Sequence, residues 1–162
     1  MNAIVIVDKN WGIGNGGKLL AHLPGDLKYF KEKTIGNTII IGRETFVGMG
    51  SKLLPGRETI VLSTKEDFNP GCLVCSSLDD TFKNIAGKEP ETLFVAGGES
   101  VYRLFLPYCN KIFVTKINAA FEADRYFPNL DANPDEFSVT RQSDMICENS
   151  IEYRFFEYNR TK

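Results

Sequence analysis

"TLFVAGGESVYRLFLPYC", residues 92–109, decides the fold. Its opening is short, apolar and rich in aromatic and β-branched side chains, which reads as a strand. The pair Gly97-Gly98 closes that strand. The remainder, "ESVYRLFLPYC", reads as a helix stopped near Pro107, because a proline ring cannot continue one. A strand running through glycines into a helix is the unit of a parallel sheet. The same unit recurs outward from it. "TIIIG" (38–42) is a buried strand and "RETFVGM" (43–49) a short helix leaving it. "TIVLS" (59–63) and "CLVCS" (72–76) are strands, and "SLDDTFKNIAG" (77–87) is a helix with Ser77 as cap, Asp80 at its third position and Gly87 at its stop. "AIVIV" (3–7) and "KIFVTKIN" (111–118) are further strands. The tail segments "EFSVTRQ" (136–142) and "IEYRFFEYN" (151–159) alternate in the manner of an antiparallel pair. Strand and helix alternate for two thirds of the chain and strands dominate the rest. The expectation is one α/β domain over residues 1–162, with a largely parallel central sheet, helices on both faces and an antiparallel C-terminal edge.

Composition narrows the function classes. The chain has 162 residues, 43% of them hydrophobic and 25% charged, with a net charge of −2. That length can bury a sizeable core without disulfides or metal. The charge balance gives no basic excess of the kind that binds nucleic acid or an acidic membrane. The longest apolar runs have strand length, far short of a membrane span. No basic segment followed by an apolar one opens the chain, so a cytoplasmic place is expected. Cys72 and Cys75 are spaced three apart, Cys109 and Cys147 stand alone, and His22 is the single histidine. Four converging metal ligands are not evident, and free thiols are expected.

Two further features bear on chemistry. In parallel sheets ligands bind beyond the carboxyl ends of the strands. Just past those ends lie Gly42-Arg43-Glu44-Thr45, Ser63-Thr64-Lys65 and Ala96-Gly97-Gly98-Glu99-Ser100. Glycines permit close backbone approach, helix starts offer unpaired amides, and Arg43 and Lys65 add positive charge. Together they describe a polyphosphate site, although neither the G-x-G-x-x-G nor the G-x-x-x-x-G-K-[ST] motif is present. The second feature is "HLPGDLKYF" (22–30). Pro24 suits a helix start, and Leu23, Leu27 and Phe30 recur at helical spacing and should face a core. Asp26 lies beside that apolar stripe, either complementing the helix dipole or meeting a ligand at the edge of an apolar pocket. Between "AIVIV" and this helix runs a long loop with four glycines, Gly12, Gly14, Gly16 and Gly17, a length that often marks function.

Assembled, these pieces resemble the dihydrofolate reductases of the bacterial chromosomal type. The matching segments, in order, are "VDKNWGIG" (7–14), "LPGDLKYF" (23–30), "IGRETF" (41–46), "LPGRETIVLS" (54–63), "FVAGGESVY" (94–102), "IFVTKI" (112–117) and "ADRYFP" (123–128). The resemblance implies an eight-stranded sheet with four helices and the reduction of 7,8-dihydrofolate by NADPH. It implies that Asp26 holds the pterin and that a water delivers the proton to N5. Apolar neighbours such as Leu27 and Phe30 should raise the Asp26 pKa. Thr115 should accept a hydrogen bond through Asp26 or a water. It further implies substrate contacts at Ile4, Ile6, Leu27, Phe30, Lys52 and Ala96, and an Arg57 clamp on the glutamate α-carboxylate. Cofactor contacts are implied at Ile6, Ile13, Gly14, Lys18, Leu19, Gly42, Arg43, Glu44, Thr45, Leu62, Ser63, Thr64 and Lys65. They continue through Ala96, Gly97, Gly98, Glu99, Ser100, Val101 and Tyr102. No metal is implied, antifolate inhibitors are expected ligands, and a monomer is the expected state.

The sequence departs from that family in two places. Leu19-Leu20-Ala21 replaces the usual Leu-Pro-Trp ahead of the substrate helix, and the single tryptophan, Trp11, lies earlier in the lid loop 9–23. Ala96 is smaller than the usual Ile or Val, which should widen the pocket. Two alternatives stand beside the main reading: a pterin or flavin-precursor reductase on the same fold, and a binding protein that has lost activity.

Overall fold

The computed structural model describes residues 1–161. Among these residues the strands are β1 (Asn2–Val7), β2 (Gly12–Asn15), β3 (Lys18–Leu19), β4 (Thr38–Gly42), β5 (Glu58–Leu62), β6 (Leu73–Cys75), β7 (Leu93–Val95), β8 (Lys111–Ile117), β9 (Arg125–Tyr126), β10 (Phe137–Gln142), β11 (Ile146–Glu148) and β12 (Ile151–Arg160). The helices are α1 (Pro24–Thr34), α2 (Arg43–Gly48), α3 (Leu78–Ile85) and α4 (Glu99–Phe105). The segment from Glu99, expected as a helix stopped near Pro107, is α-helical to Phe105 and finishes as a 3-10 turn over Leu106–Tyr108, where Pro107 has no amide hydrogen to donate.

Eight strands run in the order β10-β12-β8-β1-β7-β4-β5-β6, and short β11 pairs with β12 outside that path. The pairs β8–β1, β1–β7, β7–β4, β4–β5 and β5–β6 are parallel. Those made by β12 with β8, β10 and β11 are antiparallel. The expected mostly parallel sheet with an antiparallel C-terminal edge is therefore present, with four helices around it.

Strand β4 shows why the centre holds. Ile39, Ile40 and Ile41 are each at most 1% exposed, so consecutive side chains on opposite faces are both buried. Each such burial is worth about 1.5–3 kcal/mol. On one face Ile4, Ile39, Phe94 and Phe113 pack with Tyr29 and Phe30 of α1 and with Ala96. On the other, Val5, Val7, Ile40, Val95 and Val114 pack with Trp11, Phe105 of α4, Phe127 and Tyr158. The residues of β8 therefore divide: Thr115 belongs to the α1 face, and its neighbours Val114 and Lys116 to the other.

The stretch 9–23, expected as a mobile loop, contains regular structure. β2 and β3 form a hairpin, and β2 also pairs with β9, giving a small second sheet. The hairpin turns on Gly16 and Gly17, at φ +60° and +80°, the left-handed conformation that a two-residue turn between twisted strands demands.

Candidate functional site

Asp26 sits in the first turn of α1, just after Pro24. Thr115, on β8, donates a hydrogen bond of 2.6 Å to Asp26 Oδ1. The sequence reading had Thr115 as the acceptor. An ionised carboxylate only accepts, so the hydroxyl donates. Burial pushes the Asp26 carboxyl above its ordinary range; the Thr115 bond opposes this, and the Glu148 charge adds to it.

Glu148 is a residue the sequence reading missed. Its Oε1 accepts the Gly25 amide at 3.0 Å and stands 3.3 Å from the Tyr153 hydroxyl. A methyl on Gly25 would collide with that hydroxyl, so the small residue before Asp26 is set by packing. Nothing near Glu148 in sequence announces this. It arises from the register of β12, where Tyr153 lies opposite Ile117 of β8.

The helical stripe is only partly a core stripe. Leu23 is buried with Ile117 and Tyr153, and Phe30 is partly buried against Ile4, Phe94 and Phe113. Leu27, expected to face the core, is 51% exposed. The last turn of α1 buries Thr34 instead, and Leu27 lies on the flank of the helix. Exposed Leu19, Val47, Met49 and Leu53 on the lid, α2 and the segment beyond it add to this uncovered apolar surface.

Arg57 is docked on the C-terminal end of α1. Its Nε donates to the Pro55 carbonyl at 3.0 Å and one terminal nitrogen to Thr34 Oγ1 at 3.4 Å, while that hydroxyl donates to the Phe30 carbonyl at 2.7 Å. No acid pairs with it among the described residues, and partial burial lowers its pKa. A cavity of about 490 Å³ adjoins it, lined by Gly36, Asn37, Thr38, Gly56, Glu58, Lys88 and Thr92. Lys52 is exposed nearby in sequence, on the segment between α2 and β5.

The strand-end glycines form a second cluster. Gly42 and Gly98 are the N-caps of α2 and α4, and neither helix start receives a side-chain cap. Gly42 donates to the Gly97 carbonyl at 2.8 Å, tying the two strand ends together, and the Gly97-Gly98 peptide is cis. A Cβ on Gly98 would lie 3.0 Å from Thr45 Oγ1, so a larger residue would crowd the cradle. Arg43, Lys65 and Lys18 carry no ion pair among the described residues. Ser63 Oγ accepts the Lys65 amide at 3.1 Å, fixing that turn. Thr64, Glu44 and Ser100 are exposed, and Ile6, Leu62 and Ala96 partly buried. These uncapped amides, free cations and hydroxyls fit a dinucleotide carrying phosphates.

Three expected cofactor residues have side chains engaged within the protein. The Tyr102 hydroxyl is buried and donates to the Ile4 carbonyl at 2.7 Å, bracing β1 on α4. Val101 is buried under Gly42, 3.1 Å from where a Cβ would stand. The Glu99 carboxylate accepts the Tyr126 amide of β9.

The lid lies against β9. Asp124 Oδ2 accepts the Gly16 amide at 3.1 Å, and the Gly14 carbonyl accepts the Asp124 amide at 2.9 Å. Ile13 and Gly14 are buried beneath, while Lys18 and Leu19 are exposed. At the lid's root, Asp8 accepts the amides of Asn10, Gly12 and Phe121 at 2.9, 2.8 and 2.9 Å.

Comparison with known proteins agrees with this geometry. A family profile described as dihydrofolate reductase matches residues 1–160. The chain is 39% identical to the dihydrofolate reductase of Bacillus subtilis over 158 residues, covering 97% of this chain and 92% of that protein. It is 34% identical to the Enterococcus faecium enzyme over 155 residues, covering 94% and 92%. A solved dihydrofolate reductase from Enterococcus faecalis, complexed with NADP(H) and RAB-propyl, superposes with a TM-score of 0.89 at 34% identity, covering 99% of this chain and 96% of that one. The chain belongs to the dihydrofolate reductase family and is an NADPH-dependent oxidoreductase.

Proposed function

We propose that Asp26, braced by Thr115, handles the proton in the family's reaction, the reduction of 7,8-dihydrofolate to 5,6,7,8-tetrahydrofolate by NADPH. The observation that carries this reading is the 2.6 Å pair between Thr115 and a carboxyl whose pKa burial has raised. The reaction consumes one proton at pterin N5. A carboxyl whose pKa is raised exchanges its proton closer to the working pH than an ordinary aspartate does, so it can resupply the water that protonates N5. Asp26 takes hydrogen bonds from the pterin 2-amino group and the adjacent ring nitrogen, both within reach of one carboxylate. It lies too far along the ring to reach N5, so a water delivers that proton.

The other roles rest on position. Leu27, Phe30 and Ala96 cover the pterin and aminobenzoyl rings with apolar surface, beside the backbones of Ile4 and Ile6. Arg57, fixed by Pro55 and Thr34 and free of any acid among the described residues, receives the glutamate α-carboxylate. Lys52 adds charge near that end. NADPH, which supplies the hydride, is held by the Gly97-Gly98 turn, the starts of α2 and α4, and Arg43, Thr45, Ser63, Thr64 and Lys65. Lid residues Ile13, Gly14, Lys18 and Leu19 cover the site and exclude water. Antifolates compete for the Asp26 end. The working unit is a single domain over 1–162, acting as a monomer, since one chain supplies every residue named. A cytoplasmic place accords with four cysteines that are all free thiols.

Tracking the near-ultraviolet absorbance of NADPH with dihydrofolate tests the reading. Turnover that requires Asp26 and weakens in KM for Arg57→Leu is expected. An enzyme that oxidises NADPH with a flavin precursor but not with dihydrofolate would replace it. The unpaired Arg57 favours the folate reading, since only a folate tail offers it a carboxylate.

A further inference from the structure

The face of the sheet opposite Asp26 holds a second cavity, of about 300 Å³. Its wall includes Lys9, Trp11, Lys116, Met145, Arg154 and Phe156. The volume falls at the lower end of small-ligand sites. Half of the ten lining residues are charged, and Trp11, Ile117, Met145 and Phe156 supply the apolar surface.

The charges there do not cancel. Lys116 and Arg154 are directly opposed across β8 and β12, a like-charge pair that costs stability. Lys116 is compensated: its Nζ is 2.7 Å from Asp131 Oδ2 and 5.0, 4.6 and 5.2 Å from the ring centroids of Trp11, Phe156 and Tyr158. Asp131 is fully used, because its other oxygen accepts the Tyr158 hydroxyl at 2.8 Å. The remaining acid of the wall, Asp8, has both oxygens on the backbone amides of the lid root. Arg154 is left over. It makes no ion pair among the described residues, and its Nε is buried without a hydrogen-bond partner. Lys9, on the rim, is also without an acid among the described residues. A partly desolvated guanidinium with no counter-ion, beside two aromatic rings and a methionine, gains from an anion that brings its own flat apolar body.

We infer that this cavity is a second ligand site, separate from the folate and cofactor sites, for a small aromatic anion whose carboxylate or sulfonate pairs with Arg154 and whose ring lies against Phe156, Met145 and Trp11. The site adjoins the lid's root, since Asp8 and Trp11 belong to both.

Trp11 is the single tryptophan, so its indole N–H is one isolated proton signal in an NMR spectrum. With the catalytic cleft filled by NADP⁺ and a diaminopyrimidine antifolate, naphthalene-2-sulfonate should move that signal saturably at millimolar concentration or below. The neutral 2-methylnaphthalene should not. Arg154→Met should weaken binding about tenfold or more. This variant relieves the pair with Lys116, and a thermal melt checks that it is folded. Should it fail to fold, Met145→Glu, on an exposed side chain, places a carboxylate in the cavity wall and should abolish the shift. A Trp11 signal that stays put, equal affinity in the variant that reports, or equal binding of the neutral compound would overturn the site. Because the cleft is occupied throughout, none of these outcomes depends on how the catalytic residues are assigned.

Discussion

Two aspartates are held by consecutive residues of one strand, and the protein treats them in opposite ways. Thr115 of β8 donates to Asp26 on one face of the sheet; Lys116 pairs with Asp131 on the other. Asp26 has a neutral hydroxyl for a partner and an acid, Glu148, for a neighbour, and burial raises its pKa. Asp131 also feels burial, but the Lys116 ammonium and the Tyr158 hydroxyl together hold it below the ordinary carboxylate range. Side-chain alternation along a strand sends the two neighbours into different electrostatic surroundings. A carboxyl that is fully paired with a cation serves the fold. One held by a neutral hydroxyl instead is available for chemistry, and its raised pKa is the sign of that availability.

The sharpest way to break this contrast is Asp26→Asn. Loss of the acid should lower kcat/KM by on the order of 10²–10⁴-fold in steady-state assays. Stability should move the other way. A carboxyl whose folded pKa is raised weakens the fold as pH rises from the unfolded pKa through the folded one, so the Asn variant should melt higher at neutral pH and equally in acid.

Gly25→Ala comes next. The new methyl displaces the Tyr153 hydroxyl from beside Glu148 and should cost about 1–3 kcal/mol in denaturant unfolding.

Asp131→Asn should leave turnover intact and cost about 1 kcal/mol, because the Asp131 end of the ion pair is half exposed. A depressed folded pKa stabilises above the unfolded value and is lost as pH falls through the folded one. The deficit of this variant should therefore be present at neutral pH and vanish in acid.

The finest test sets two variants against each other. Thr115→Val removes a bond that favours the charged carboxyl and should move the alkaline limb of the kcat/KM profile to higher pH. Glu148→Gln removes a charge that disfavours it and should move the limb to lower pH. Shifts of the same sign would mean that Asp26 does not set the profile.

The legible parts of the molecule were those written locally. "TIIIG" and "TLFV" are apolar without interruption because both faces of β4 and β7 are covered. Ser77 could be named as a cap because it accepts the Asp80 amide only three residues on. Asp26 was noticed because Pro24 marks the helix start beside it. What escaped depends on long-range registry. The Glu148 carboxylate reaches Gly25 across 123 residues, through the pairing of β11 and β12, and no local pattern encodes that distance. Leu27 misled because helical spacing identifies a stripe without saying which edge of it the sheet covers. The β2–β3 hairpin was legible in principle: "NGGK" carries the two consecutive glycines such a turn needs.

The anchoring of Asp8 has a mechanical consequence. At the base of the lid one buried carboxylate grips three amides, two from the lid itself and one from the far segment at Phe121. The tip is fastened by exposed side-chain bonds that water can replace, the Gly16 amide to Asp124 and the Asn15 amide group to the Glu122 carbonyl. Such a flap lifts from its free end like a page from a bound spine, so Gly16 travels while Gly12 stays in place, and exchange of the Gly16 amide with solvent should outpace that of Gly12.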